Sequence, residues 1–330
     1  MRTASAMNGP VLALDLGASR IRVAAVGTDG RLLVRDDGRT PGAEGPPAVL
    51  QACIKSLRGI VARLDPATRA GLSGVGISAP GPVDPRAGTL VEPPNIGPGF
   101  VDVPFAAPIG EALGLPARLE RDTNVAALAE QAYGVARGAR DFLYITVSTG
   151  IGGAIVAGGE LYGGADGVAG EVGHVPIEDD DAVCLCGTPG HLEAVSSGSG
   201  IARRAATAIA AGRAPGLAAL AERLAPVKLE ARHVAEAEET GDPDAAEIME
   251  RARDAFAEVL VGLVNVFNPE LIVIGGGLAM GQGDRWLEPA RRAVAEKAFR
   301  IPRERVRIVP AALGDDVGLV GAQPLLARRL

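Results

Sequence analysis

Two histidines and two cysteines fall within one short, glycine-rich stretch of the chain. They are His174, Cys184, Cys186 and His191, at intervals of ten, two and five residues. Thiolate sulfur and imidazole nitrogen are ligands that Zn²⁺ prefers, and four of them make a closed structural site. The alternative is two buried thiols and two unrelated histidines in a loop, since this spacing is less standard than paired CxxC motifs. The donor set favours zinc.

The same stretch carries two carboxylates, Glu171 and Glu193, each close in sequence to a candidate ligand. A glutamate is by default an ordinary surface residue. Alternatively, the loop that carries the four candidate ligands (residues 174–191, the metal loop) holds both side chains in place to bind hydroxyl groups. The residues alone leave both interpretations open.

Composition limits the classes of protein to which the chain can belong. The 330 residues are 47% hydrophobic, enough for two domains with cores, and the net charge is −7. An acidic chain is unsuited to sequence-independent binding of nucleic acid or of anionic membranes. The first ten residues contain no long apolar run, and the most apolar segment, 255–267, is interrupted by Glu258 and Asn265. We expect a soluble cytoplasmic protein, in which a disulfide between Cys184 and Cys186 is not expected.

Two similar hairpins are predicted 133 residues apart. Val11–Leu33 and Leu143–Gly164 each read as strand, polar turn and strand, and Asp15-Leu16-Gly17 corresponds to Ser148-Thr149-Gly150. A repeat of this length predicts two duplicated domains, each opening with a hairpin. Small residues in such turns admit phosphate groups to the backbone, and Asp15 can hold hydrated Mg²⁺. The predicted phosphate-binding residues are Gly17, Ser19, Thr149, Gly150 and Gly152. The alternative is two ordinary hairpins.

Three further segments carry candidate binding residues. A strand runs into Ala79-Pro80-Gly81-Pro82, a rigid turn against which a small ligand can lie, and Asn95 follows in the next loop. Asp122 and Asn124 open an alanine-rich helix, although both are also ordinary capping residues. The apolar run LIVI leads into Gly275, Gly276 and Gly277, where an adenosine can lie against bare backbone at a sheet edge.

Three segments resemble the ROK family (repressor, open reading frame, kinase) of sugar kinases and sugar-responsive repressors. They are GEVGH followed by CxCGxxG and LE, LERDTN, and NPExIVIGGG, and the resemblance extends from Asp15 to Gly321. It implies an α/β fold of two duplicated ribonuclease-H-like domains, of the actin and hexokinase type, with a cleft between them. We expect a smaller domain at 1–118, joined by a terminal helix at 315–330, and a larger domain with the metal loop at 119–314.

The resemblance also implies an activity and roles for the candidate residues. We expect an ATP-dependent hexose kinase, with Asp122 as catalytic base, Mg²⁺ at Asp15 and a structural Zn²⁺. The sugar-binding residues would be Ala79, Gly81, Asn95, Asn124, Glu171, His174 and Glu193. Family members usually have a third cysteine where His191 stands, and an asparagine where Arg121 stands. The first departure still suits zinc, whereas the second leaves the preferred sugar open.

Several alternatives remain at this stage. We expect glucose as the acceptor, as the first step of its breakdown by glycolysis, with N-acetylmannosamine, N-acetylglucosamine or fructose as alternatives and ATP or polyphosphate as donor. A non-catalytic, sugar-sensing protein is the alternative of another class. ROK repressors carry a helix-turn-helix segment before the first hairpin, and the early start of the first strand and the low pI of about 5.2 favour the enzyme. From the family we expect a homodimer or a dimer of dimers.

Overall fold

The computed structural model describes residues 9–177 and 181–328, and these form two compact units. The first unit takes residues 9–138, 161–169 and 312–328, and the second takes residues 139–160 and 170–311 within the described ranges. Residues 1–8, which belong to the N-terminal segment without a long apolar run, lie outside the described residues, as do the last two residues of the predicted terminal helix.

Each unit is built on a mixed sheet. The strands are β1 (Val11–Leu16), β2 (Arg20–Val26), β3 (Leu32–Arg39), β4 (Val75–Ala79), β5 (Val83–Asp84), β6 (Thr89–Leu90), β7 (Val103–Pro104), β8 (Ala117–Arg121), β9 (Phe142–Val147), β10 (Ile151–Ala157), β11 (Glu160–Leu161), β12 (Leu271–Gly275) and β13 (Arg307–Pro310). The first sheet has the order β3-β2-β1-β4-β8 and the second has the order β11-β10-β9-β12-β13. β5, β6 and β7 form a small separate sheet.

The two large sheets share one topology. In each, an antiparallel hairpin (β1–β2 or β9–β10) adjoins two parallel strands (β4 and β8, or β12 and β13). The duplication is therefore present in the sheets themselves. The residue correspondence predicted from the sequence is not exact, because Asp15 lies within β1 whereas Ser148 follows the last residue of β9.

Helices cover these sheets and connect their strands. They are α1 (Pro46–Arg63), α2 (Pro66–Ala70), α3 (Ala106–Leu113), α4 (Asp122–Tyr133), α5 (Leu192–Ser196), α6 (Gly198–Ala210), α7 (Pro215–Leu224), α8 (Ala231–Glu239), α9 (Pro243–Phe267), α10 (Gly277–Gln282), α11 (Asp284–Lys297), α12 (Arg300–Arg305), α13 (Val317–Val320) and α14 (Ala322–Ala327). Local sequence explains the long α9, because Asp242 caps its first amides, Pro243 follows, and Asn268 ends it in a left-handed conformation (φ 47°).

The first sheet is buried on both faces because side chains alternate along its central strand. Leu12, Leu14 and Leu16 face a core shared with α1 and α3. Val11 and Ala13 face the opposite core, which is completed by residues of α13 and α14. Gly76 on β4 permits this packing, because a Cβ atom there would lie 2.6 Å from that of Ala322. The terminal helices are thus an integral part of the first unit.

The units do not divide where the sequence placed a domain boundary. Residues 119–138 belong to the first unit rather than to the second. The reason is that β8 pairs in register with β4, and the following helix α4 packs against α13 and α14. Residues 161–169 also belong to the first unit, where Leu161 packs against Val125, Leu128 and Leu325. Among the described residues, no helix combines the length and the apolar character needed to cross a bilayer.

Candidate functional site

Three polar residues of the first unit lie side by side at the carboxyl ends of parallel strands. Asp15 on β1 is paired with Ser78 on β4, and Ser78 is paired with Glu120 on β8. Open α/β sheets bind ligands at this edge because side chains and backbone groups converge there. The strand register therefore places Asp15 at the same sheet edge as Glu120, two residues before the start of α4.

Asp15 is a buried carboxylate with two polar partners. Its Oδ1 accepts a hydrogen bond from Ser78 Oγ at 3.0 Å, and its Oδ2 lies 2.6 Å from Arg22 Nη2. Burial raises the pKa of Asp15, while the charge of Arg22 and the hydroxyl of Ser78 act in the opposite direction. The turn itself is closed by hydrogen bonds from Gly17 N to Arg20 O and from Thr40 Oγ1 to Gly17 O, and Ser19 is exposed.

The start of α4 presents Asp122 on a rigid support. Asp122 is exposed at the first helical residue, and its Oδ1 accepts a hydrogen bond of 2.7 Å from Thr123 N. Behind it, Glu120 Oε1 accepts from Asn124 Nδ2 at 2.9 Å and from Arg121 N at 2.9 Å. These bonds fix the helix start, so the Asp122 carboxylate has a defined place beside the sheet edge.

Arg121 is the residue at which the segment LERDTN departs from the family pattern. Its side chain is buried, and Nη2 donates to Ala169 O at 2.6 Å and lies 3.4 Å from Asn124 Oδ1. Its aliphatic stem covers Gly81, where a Cβ atom would lie 2.9 Å from Arg121 Cδ. The guanidinium therefore lies among the predicted sugar-binding residues of this unit. Asn95, by contrast, is exposed in the loop between β6 and β7, and Ala79 is fully buried at the end of β4.

The predicted nucleotide-binding residues of the second unit converge at one edge of its sheet. Thr149 and Gly150 form the turn between β9 and β10, and Gly152 follows on β10. Gly276 lies against the end of β9, because a Cβ atom there would be 2.4 Å from Val147 O. It has a φ of 91°, a conformation that favours glycine. The bare backbone of Gly275–Gly277 and the polar turn thus share one edge.

The four predicted metal ligands come together in the second unit. His174 Nδ1 lies 3.2 Å from His191 Nδ1 and 3.9 Å from Cys184 Sγ, and Cys186 Sγ lies 3.3 Å from His191 Nδ1. All four ligand atoms lie within 4.8 Å of one another. Tetrahedral zinc separates two nitrogen ligands by about 3.3 Å and a nitrogen from a sulfur by about 3.6 Å, from bond lengths of about 2.0 and 2.3 Å. The observed spacings fit such a site.

Short-range hydrogen bonds hold these ligands in position. Gly187 N donates to Cys184 O, closing a tight turn at a glycine with φ 90°, and Pro176 bridges to His191. The backbone amide of Thr188 donates to Cys186 and lowers the pKa of its thiol to about 6, whereas burial raises that of Cys184 to about 11. One thiol is therefore readily deprotonated, and the other is held in a buried position.

The two predicted carboxylates occupy different surroundings. Glu171 is exposed, and its Oε2 lies 3.9 Å from His174 Nε2, the ring nitrogen that faces away from the ligand cluster. Glu193 Oε2 accepts a hydrogen bond from Ile151 N at 2.8 Å, and Cys184 Sγ lies 3.6 Å from its Oε1. Glu193 thus contacts both the metal loop and the turn between β9 and β10.

Sequence reasoning missed the residues that support these groups. It did not identify Arg22 and Ser78, the partners of Asp15, or the buried Glu130 of α4. For Arg22 and Ser78 a signal exists: each occupies a strand position directly opposite Asp15, which correct strand pairing would have revealed. Glu130 carries no such local signal.

The sequence and the fold have counterparts among known proteins. The chain matches the ROK family over residues 11–329. A glucokinase of Thermotoga maritima is 31% identical over 97% of this chain and 98% of that enzyme. An N-acetylmannosamine kinase of Escherichia coli O157:H7 is 29% identical over 94% of this chain and 96% of that one. The crystal structure of a ROK family glucokinase from Streptomyces griseus, in complex with glucose and AMPPNP, is 30% identical, has a TM-score of 0.78, and is matched over 96% of this chain and 99% of that chain.

This chain therefore belongs to the ROK family. The resemblance stated from its motifs is confirmed, and so is the expected duplicated ribonuclease-H-like fold, which it shares with solved ROK kinases. The roles of individual residues remain predictions.

Proposed function

We propose that the protein is an ATP-dependent hexose kinase that transfers the γ-phosphoryl group to the 6-hydroxyl of glucose. The observation that carries this proposal is the similarity to a glucokinase over nearly the whole chain, together with Asp122 at the exposed start of α4. Phosphoryl transfer requires alignment and charge neutralisation more than covalent chemistry, and these are what a fixed carboxylate and a polar turn supply.

On the sugar side, Asp122 would orient the 6-hydroxyl and accept its proton. The carboxylate is suited to this role because it is exposed at the start of α4 and its Oδ1 is fixed by a hydrogen bond from Thr123 N. Asn95, Asn124, Glu171, His174 and Glu193 would bind the remaining hydroxyl groups, with Ala79 and Gly81 as the wall beside them. The rigid helix start and the turn at 79–82 reduce the entropy lost when sugar binds.

On the donor side, Asp15 would hold the water shell of Mg²⁺, and this ion supplies charge neutralisation at the phosphates when bound. Ser78 and Arg22 keep the buried Asp15 carboxylate in a single orientation. The predicted phosphate-binding residues are Gly17, Ser19, Thr149, Gly150 and Gly152. Gly275, Gly276 and Gly277 would accommodate the adenosine.

His174, Cys184, Cys186 and His191 would hold a structural zinc ion, which supplies a fixed cross-link for the loop rather than a reactive centre. The donor set and the mutual distances support this assignment. Both histidines present Nδ1 to the cluster, so Nε2 of His174, which lies 3.9 Å from Glu171 Oε2, is the ring nitrogen that would contact the sugar. A cytoplasmic homodimer, expected from the family, is part of the same proposal, and light scattering of the purified protein tests the dimer.

An N-acylated hexosamine is the second candidate substrate, because the N-acetylmannosamine kinase of Escherichia coli is also similar over nearly the whole chain. The two candidates differ at the substituent on carbon 2. Arg121, which stands where relatives usually have asparagine, lies among the predicted sugar-binding residues and can alter that preference.

The test is phosphoryl transfer from Mg-ATP to glucose, mannose, fructose, N-acetylglucosamine and N-acetylmannosamine, with polyphosphate as a second donor. Wild type, Asp122→Asn and the control Asp254→Asn, which removes an exposed carboxylate on α9, are assayed side by side. We expect transfer to glucose that falls at least about 100-fold in Asp122→Asn, the usual size of a general-base contribution, and is unchanged in the control. Absence of transfer to every sugar by folded, zinc-loaded protein would refute the proposal.

A further inference from the structure

The turn between β9 and β10 is held by the segment that follows the metal loop. Gly198 N donates to Ser148 O at 2.8 Å, and Ser199 N donates to Thr149 O at 3.0 Å. Glu193 Oε2 accepts from Ile151 N at 2.8 Å. Residues 193–199 therefore fix the turn through three hydrogen bonds, and the Glu193 contact is the only one of these made by a side chain.

Glu193 is itself fixed by the metal loop. It lies two residues after His191, and Leu192 N donates to Val175 O, next to His174. Cys184 Sγ lies 3.6 Å from Glu193 Oε1, the carboxylate oxygen that Ile151 does not use. The two oxygens of one carboxylate thus face two different sites, the metal ligands and the phosphate-binding turn.

The contact with the turn is close enough to define its shape. A Cβ atom at Gly150 would lie 2.6 Å from Glu193 Oε2, so the carboxylate lies directly against the glycine. The bond from Ile151 N also aligns the first residue of β10. A hydrogen bond to an ionised acceptor is stronger than one between neutral groups.

We propose that Glu193 is a positioning residue for the phosphate-binding turn, through which the metal loop sets the geometry of the nucleotide site. This inference rests on the proposed kinase function and adds to it a donor-side role for a residue predicted to bind sugar. It assigns the metal loop an effect on nucleotide binding as well as on sugar binding.

Three variants separate this role from a purely structural one. Glu193→Asp shortens the side chain so that it no longer reaches Ile151 N. Glu193→Gln keeps an oxygen for Ile151 N and is the conservative rescue. Glu171→Asp is the matched control, since Glu171 also lies beside a metal ligand but its described contact is with His174 Nε2.

The first measurement is hydrogen exchange of a peptide covering residues 148–151 in zinc-loaded protein without substrates. We expect exchange at this peptide to be about tenfold faster in Glu193→Asp, from the loss of one charge-assisted hydrogen bond. Exchange in Glu171→Asp should match wild type, and exchange in Glu193→Gln, which keeps the hydrogen bond without the charge, should lie between wild type and Glu193→Asp. Removal of zinc by a chelator should accelerate exchange at this peptide in wild type and have little further effect in Glu193→Asp.

The second measurement is calorimetric binding of AMPPNP with Mg²⁺, without sugar. We expect binding to weaken several-fold in Glu193→Asp and to be unchanged in Glu171→Asp. The proposal is overturned if Glu193→Asp matches the control in both measurements. If wild type binds no nucleotide, the proposed kinase function fails, whereas hydrogen exchange still decides whether Glu193 holds the turn.

Discussion

Replacement of Glu130 by glutamine should destabilise the first unit substantially. Glu130 is fully buried in α4, and its carboxylate accepts three backbone hydrogen bonds. Oε1 accepts from Ala312 N at 2.8 Å and from Leu313 N at 3.0 Å, and Oε2 accepts from Val135 N at 2.9 Å. One side chain therefore ties together the end of α4 and the segment that leads into α13.

The size of the effect follows from the number of donors. A glutamine has one oxygen and one NH₂ group, so either orientation places NH₂ against at least one amide. If its oxygen faces Ala312 N and Leu313 N, the glutamine loses the hydrogen bond from Val135 N, and the two remaining hydrogen bonds are weaker because the acceptor is neutral. With about 1–3 kcal/mol for an unsatisfied buried donor and about 0.5–1 kcal/mol for each weakened bond, the loss is about 2–5 kcal/mol. Such a loss is a large part of the stability of a typical domain.

The assay exploits the single tryptophan. Trp286 is buried in the second unit, where its ring packs against Phe256 at 5.6 Å between centroids. Its fluorescence therefore reports unfolding of that unit, whereas far-ultraviolet circular dichroism reports both. In urea titrations of Glu130→Gln, we expect part of the dichroism transition to move to lower urea while the fluorescence transition moves less.

The control is Glu111→Gln, which changes an exposed glutamate on α3 of the same unit. We expect it to shift either transition by less than about 0.5 kcal/mol, as surface substitutions usually do. The reasoning is refuted if Glu130→Gln behaves like this control, because the three hydrogen bonds would then contribute nothing measurable.

Three further predictions concern the candidate sites. Burial raises the pKa of Asp15, so the stabilising contribution of its protonated form is present at acid pH and is lost as pH rises through that pKa. Asp15→Asn should therefore raise the melting temperature more at pH 8 than at pH 4.5, and it should abolish phosphoryl transfer. Equal shifts of the melting temperature at both pH values would contradict this prediction. Cys186→Ser removes one ligand of the metal cluster. We expect elemental analysis to give about one zinc per chain in wild type, and dialysis against a chelator to show a zinc affinity at least about tenfold weaker in the variant. Equal zinc content of the two proteins after this dialysis would count against the site. Arg121→Asn loses the hydrogen bond to Ala169 O, which anchors the segment leading into Glu171. The KM for sugar should therefore rise about threefold or more, and the KM for Mg-ATP should be unchanged. A change in the KM for Mg-ATP alone would disprove this role.

Much of the fold was predictable because local signals and the repeat agreed. The hairpin repeat predicted the duplicated sheets, and Asp122 does open α4 as predicted. The clustered ligands were also predictable, since they lie close together along the chain.

What the sequence could not reveal depends on long-range contacts. Glu130 and Ala312 are 182 positions apart, and only the packing of α4 against the terminal helices brings them together. A glutamate in a helix reads as a solvated residue, because nothing local marks it as buried. The domain boundary at residue 118 was misplaced for a similar reason. β8 belongs to the first unit because it pairs with β4, about 40 residues earlier in the chain, and no local signal at residue 118 indicates that pairing.

The way in which the chain alternates between the two units sets an order on biosynthesis. The first unit begins with β1 but is completed only by residues 312–328, after all of the second unit has left the ribosome. Until then, the face of the first sheet that carries Val11, Ala13 and Ala24 lacks its cover of α13 and α14. The nascent chain must therefore keep an apolar sheet surface exposed throughout most of translation, a state prone to aggregation. We expect chains truncated at residue 311 to be insoluble or bound to chaperones, even though the second unit is complete.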